Sequence, residues 1–176
     1  MTPPETRHYC VLLLCLAISG PVSAQTPKRV EWPCFHGPDR TNKSPETGLL
    51  KKWPDAGPKL LWTASGLGEG YSSVSIADGR IFTAGMSEGK GFVHAFDLSG
   101  KPVWKSENGQ AWTAQRSHAQ AYTGARSTPT FSSGTLYQLG ETGRLTALDA
   151  KTGKEIWATD VSETYGDRKS TRLNSS

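Results

Sequence analysis

The chain is 176 residues long, 35% hydrophobic and 20% charged, with a formal net charge of +4 and three cysteines. Half of that charge sits in the last ten residues, and two of the cysteines, Cys10 and Cys15, lie near the N-terminus, so the body Gln25–Gly166 carries only +2 and one thiol, Cys34. That balance makes no case for nucleic acid or an anionic membrane surface as partner, and a lone thiol excludes a disulfide framework or a cysteine-built metal centre within the segment.

In chain order, Arg7 and His8 lead into the apolar run Val11-Leu-Leu-Leu-Cys-Leu-Ala-Ile18, which ends at Gly20-Pro21 and the small residues Val22-Ser23-Ala24. A charged start, a short apolar stretch and a small-residue cleavage site, in that order, read as a secretory signal peptide over residues 1–24, cut after Ala24. The run is too short to cross a bilayer, which takes about 20 residues. Cys15 follows Leu14 and not the small residue that a lipid-modified cysteine requires, and no later stretch is apolar enough for a membrane span. A soluble protein exported to the periplasm or beyond is expected, with Cys34 buried.

Residues 25–59 contain Trp32-Pro-Cys-Phe-His-Gly-Pro-Asp-Arg40 and Ser44-Pro-Glu-Thr-Gly-Leu-Leu-Lys-Lys-Trp-Pro54. So much Pro, Gly and polar residue predicts an extended lead-in with its aromatics packed on the flank of the domain that follows. Leu60-Leu61-Trp62 then reads as one isolated outer strand.

The body that follows, residues 60–166, is a repeat. Tyr71-Ser-Ser-Val-Ser-Ile-Ala-Asp-Gly-Arg-Ile-Phe82 aligns with Arg126-Ser-Thr-Pro-Thr-Phe-Ser-Ser-Gly-Thr-Leu-Tyr137. Val93-His-Ala-Phe-Asp-Leu-Ser-Gly-Lys-Pro-Val-Trp104 aligns with Leu145-Thr-Ala-Leu-Asp-Ala-Lys-Thr-Gly-Lys-Glu-Ile-Trp157 with one gap in the turn. Trp62, Trp104 and Trp157 stand 42 and 53 residues apart. A unit of short strands and turns recurring at roughly 40 to 50 residues is the mark of a propeller blade. Glycines and β-branched residues recur too often for a helix, and no stripe of helical period persists. The chain is therefore all-β, with blades over about 70–107 and about 124–160. In the second, strands are predicted at Ser127–Phe131, Thr135–Leu139, Arg144–Leu148 and Glu155–Thr159. Turns are predicted at Ser132–Gly134, Glu141–Gly143 and Asp149–Lys154, where Asp caps the turn's own backbone.

The repeat carries a family resemblance. Ala147-Leu-Asp-Ala-Lys-Thr-Gly-Lys-Glu-Ile-Trp157 resembles the Ala-x-Asp-x-x-Thr-Gly-x-x-x-Trp repeat of pyrroloquinoline quinone (PQQ)-type propellers, and Ala95-Phe-Asp-Leu-Ser-Gly-Lys-Pro-Val-Trp104 is a degenerate copy lacking the threonine. The lead-in from Trp32, and Gly66-Leu-Gly-Glu-Gly-Tyr-Ser-Ser73, are similar to the start of exported bacterial PQQ-binding-like propellers, where Gln and Arg often stand in place of Cys34 and His36. The resemblance implies four-stranded blades, about eight in a complete ring, of which two are present here. It implies that Leu60–Trp62 completes a last blade lying beyond this segment. It also implies that Trp62, Ala95, Asp97, Gly100, Trp104, Ala147, Asp149, Thr152, Gly153 and Trp157 are structural motif residues, each tryptophan docking near the neighbouring blade's Thr-Gly turn and each aspartate capping a turn. A motif of this kind fixes a fold more firmly than a function.

Residues with chemistry to offer lie in the connection Asn108–Arg126, which in propellers crosses the face where ligands bind: Trp112, Arg116, His118, Tyr122 and Arg126. Guanidiniums pair with the carboxylates of an anionic quinone, and an indole stacks on a flat ligand. The other reading is a polar loop whose arginines pair with nearby carboxylates. His36, His94 and His118 show no metal-ligand spacing. Gly66–Gly70 precedes a strand, whereas a phosphate loop opens a helix. Asn42-Lys-Ser44 fits a glycosylation triplet but is followed by Pro.

Asp167–Ser176 matches, codon for codon, a reading frame of a common sequencing-library adapter, so these residues are expected to be non-native and the chain an N-terminal fragment. Three functions follow: a noncatalytic binding or scaffold propeller for protein, peptide or carbohydrate; a PQQ- and calcium-dependent dehydrogenase of alcohols or sugars whose catalytic residues lie elsewhere; or a sensor domain fused to something downstream. The first is favoured, since the group resembled is named for its repeats and not for a demonstrated activity; no catalytic residue, metal site or cofactor is assignable within the segment. The fragment's remaining partners are the blades it lacks.

Overall fold

The computed structural model describes residues 31–111 and 123–165. Two four-stranded antiparallel sheets follow one another along the chain, each with its strands in sequence order. The first contains β1 (Ser75–Ala77), β2 (Arg80–Ser87), β3 (Lys90–Asp97) and β4 (Pro102–Gln110). The second contains β5 (Thr130–Ser132), β6 (Thr135–Leu139), β7 (Arg144–Asp149) and β8 (Glu155–Asp160), after which α1 (Val161–Tyr165) makes a single turn. These are two successive blades of a β-propeller, all-β as the repeat predicts.

Turn chemistry sets the hairpins. Asp78-Gly79, Glu88-Gly89 and Ser133-Gly134 each join strands through two residues with positive φ at both positions. That is the turn whose twist matches the twist of the flanking strands. The β3–β4 and β7–β8 pairings each carry a register shift at the same point of the repeat, Ala95/Phe96 and Ala147/Leu148. Such irregularities deepen strand twist, as a propeller blade requires.

The core lies between the sheets. Phe82, Val93 and Ala95 face Leu136, Leu148 and Ala150, with Trp104 and Phe131 packed at their margin. Phe82 stacks on Phe131 at 6.4 Å and lies 5.9 Å from Trp104. Each fully buried side chain of this size contributes about 1.5–3 kcal/mol. The partners of Phe82 and Trp104 in the second sheet are Tyr137 and Trp157, also paired, at 6.1 Å, and there Trp157 is 44% exposed.

Several boundaries differ from expectation, β5, β7 and β8 each ending one residue later than predicted. The first strand of the second unit begins at Thr130 and not Ser127, because Pro129 has no amide to donate to a ladder. Asn108 belongs to β4 and not to the connection. Leu60–Trp62 pair with no strand among the described residues. The lead-in also departs from its predicted place on the flank: Trp32 bridges Ile76 of β1, the strand nearest the propeller axis, through two backbone hydrogen bonds of 2.8 Å. Trp32 lies there because the edge of β1 away from β2 is open to pairing at Ile76 and the indole finds a floor on Gly37.

Candidate functional site

The motif residues build the outer turns. Asp149 Oδ1 accepts from the amides of Lys151 (3.1 Å) and Thr152 (2.8 Å) and from the Thr152 hydroxyl (2.7 Å). Asp97 Oδ1 does the same for Ser99 N (2.8 Å), Ser99 Oγ (2.6 Å) and Lys101 N (3.0 Å). The Thr152 hydroxyl and amide hold the Asp149 carboxyl below the usual aspartate range, and the Ser99 hydroxyl followed by the Lys101 amide does so for Asp97. Both are ionised turn caps, the opposite of a carboxyl tuned to donate a proton.

The tryptophans bind blade to blade. Trp104 Nε1 donates to Ala150 O at 3.1 Å, and its indole lies over Gly153, where an added Cβ would come within 2.6 Å of the ring. Trp62 covers Gly100 of the first sheet in the same manner, so a side chain there would collide with its indole. Ala95 and Ala147 are fully buried beneath these contacts.

The glycine-rich stretch has a structural use that the sequence left open. Glu69 and Met86 exchange two backbone hydrogen bonds of 2.8 Å, while Tyr71 N donates to Ala125 O at 2.6 Å. The strap from Leu67 to Tyr71 thus crosses from the first sheet to the entry of the second. Gly68, Gly70, Gly85 and Gly124 sit where main chain meets main chain, and an added Cβ at any of them would strike a carbonyl.

Of the five candidate ligand residues, Trp112, Arg116, His118 and Tyr122 lie outside the described residues. Arg126 is described and exposed, at the point where the chain enters the second sheet. The strap brings Tyr71, 62% exposed, to the residue before Arg126. Tyr71 and Arg126 occupy one repeat position, so the alignment of the two units already pairs them, yet the sequence reading did not single out Tyr71. The structure thus sets the Tyr71 backbone against Ala125, one residue before Arg126, with both Tyr71 and Arg126 exposed.

Between the sheets on that side runs a polar layer that patterning did not reveal. Buried Asn108 Oδ1 accepts from the Thr146 hydroxyl, and buried Gln138 Nε2 donates to the Ser127 hydroxyl at 2.7 Å. His94 is also buried, stacked on Phe96. Burial first and the nearby Lys105 second hold its pKa below 6.5, against a hydrogen bond to the Leu67 backbone that raises it. His36 Nδ1 pairs with Asn42 Oδ1 at 3.0 Å and the half-buried Cys34 thiol points to Gly37 O, so both serve the lead-in's own fold. No helix among the described residues is long and apolar enough to cross a membrane.

Among the described residues no group of three or more His, Cys, Asp or Glu side chains converges to hold a metal ion. The recurring carboxylates are committed to turns.

Fold and motif together define a propeller of PQQ-like repeats. Residues 89–171 match the family model described as outer membrane protein assembly factor BamB. Among solved structures it is similar to BamB from Moraxella catarrhalis (19% identity, TM-score 0.41), covering 56% of this chain and 26% of that one. It is similar to a quinohemoprotein alcohol dehydrogenase from Pseudomonas putida (25%, 0.38), covering 53% and 13%. A europium-containing methanol dehydrogenase (24%, 0.40) covers 58% of this chain and 18% of that one. The chain thus spans about a quarter or less of the length of these structures. No curated protein matches.

Proposed function

We propose that the chain is the exported N-terminal part of a noncatalytic binding or scaffold propeller whose ligand is a protein, peptide or carbohydrate. The observation that carries this reading is the use made of the repeat: Asp97 and Asp149 cap their own turns, and Trp62 and Trp104 bind neighbouring elements. The motif builds a rigid platform. The rim carrying Tyr71 and Arg126 is the surface offered to a partner, since an aromatic and an arginine are the side chains that anchor interfaces most strongly. Export follows from the signal-like residues 1–24. The lead-in spans 25–59, the blades occupy 60–166, and Leu60–Trp62 is the outer strand of a ring-closing blade, a role supported by Trp62 standing to Gly100 as Trp104 stands to Gly153.

The test is titration of the full-length gene product with PQQ and calcium, followed by tryptophan quenching. A scaffold shows no saturable quenching in the micromolar range. Saturable micromolar binding accompanied by dye-linked oxidation of an alcohol or sugar would overturn the scaffold reading in favour of a dehydrogenase.

A further inference from the structure

The lead-in's contacts fall on one repeated position. Ile76 and Phe131 occupy the same place in β1 and β5, the strands nearest the axis. The amide of Ile76 donates to Trp32 O and the amide of Phe131 to Pro33 O, each at 2.8 Å. Two consecutive lead-in carbonyls thus take the equivalent axis-facing amides of two consecutive blades. Trp32 N completes the bridge by donating to Ile76 O at 2.8 Å, and Glu31 Oε1 accepts from Asp78 N at 2.9 Å. Behind these residues the chain folds back on itself: Gly37 N donates to Cys34 O, Asn42 N donates to His36 O, and the Trp32 indole covers Gly37.

We infer that residues 31–42 are a fastener that ties the free edges of the first strands of two consecutive blades to one another. The argument is one of supply and demand. Among the named strands β1 pairs only with β2 and β5 only with β6, so the amides on their other edges must find an acceptor or water. An exposed strand edge is also a template for an added strand from another chain. A lead-in that answers both amides removes that template and ties blade to blade at its narrowest point. The contacts lie beside the Asp78-Gly79 and Ser133-Gly134 hairpins. Tyr71 and Arg126 precede β1 and β5 at their other ends, so the fastener and that pair lie at opposite ends of the two strands.

The experiment is amide hydrogen exchange on the full chain, read residue by residue, for the parent, a variant lacking residues 25–42, and Trp32→Ala. The amides of Ile76, Asp78 and Phe131 are expected to be protected in the parent. In the deletion their exchange accelerates by at least about tenfold, as expected for local opening without global unfolding, while Phe82 and Val93 in the central strands keep their protection. Trp32→Ala accelerates the same three amides by a smaller factor, and reports on the fastener should the deletion fail to fold. Unchanged protection of the three amides in either folded variant overturns the inference, as does parent exchange at the rate of an open strand edge.

Discussion

The indole of Trp104 lies across the sheet boundary on Gly153, its N–H 3.1 Å from the carbonyl of Ala150. Gly153 has a φ of 72° and a Cβ there would sit 2.6 Å from the ring, so two demands meet at one residue. Gly134, with a φ of 81° and open space where its Cβ would go, meets only the first. Gly134→Ala is expected to cost about 1–3 kcal/mol for the backbone conformation alone. Gly153→Ala costs this and the displacement of Trp104, so urea melts should rank it clearly lower. Equal midpoints for the two variants would show that the indole yields freely and that the contact does not fasten the sheets.

The same geometry separates two tryptophans that the sequence treats alike. Trp104 is covered by the second sheet, whereas Trp157, at the same motif position, is 44% exposed. Trp104→Ala should cost about 3–5 kcal/mol, the range for truncating a packed aromatic. Trp157→Ala should cost about 1 kcal/mol, as for an ordinary substitution outside the core. Denaturant melts of the two variants check this, and a larger loss at Trp157 would mean that its face is covered in solution.

Much of this was legible in the residues because turns and alternation are local. Gly79, Gly134 and the Asp149–Lys154 turn punctuate the chain at fixed intervals, and Thr135–Leu139 forms a strand with the boundaries that punctuation predicts. What stayed hidden depends on contacts between distant segments. Nothing in Trp32-Pro33 signals that their carbonyls meet Ile76 and Phe131, because backbone carbonyls carry no sequence identity. Gly66-Leu-Gly-Glu-Gly70 reads only as a glycine-rich stretch ahead of a strand, and the main chain it meets, at Met86 and Ala125, is distant in sequence. By sequence Asn108 falls in the connection and Thr146 in the middle of a strand, and nothing links them until the two sheets bring them together. Tyr71 was missed for a different reason: its candidacy rests on adjacency to Arg126, and only the repeat alignment hints at it.

His94 makes stability depend on pH. Thr83 of β2, Lys105 of β4 and the Leu67 backbone of the strap surround it, and the ring's pKa is held below 6.5 mainly by burial. The folded state therefore binds the proton less readily than the unfolded chain. The neutral ring's contribution is complete above pH 6.5 and is lost as pH falls from there toward the lower folded value. The urea midpoint should drop between neutral pH and about pH 5.5. In His94→Leu that part of the drop disappears. A variant whose acid sensitivity matches the parent's would place the titrating group elsewhere.

Asp149 gives a second test of the same sign at a lower pH. Its carboxylate holds the Thr152 hydroxyl and the amides of Lys151 and Thr152, and these keep its pKa below the ordinary 3.8. A depressed carboxyl contributes stability that is full above 3.8 and fades as pH falls through the folded value. Asp149→Asn retains one oxygen acceptor and should weaken the fold less than Asp149→Ala, which leaves the turn donors to water. Carbon-detected titration of the carboxyl should place it below free aspartate, and Thr152→Val, which removes the largest lowering influence, should bring it partway back. A titration in which Thr152→Val leaves the Asp149 value unmoved would break the assignment of this carboxylate as a turn cap, and with it the main argument that the repeat builds a platform and not a catalytic centre.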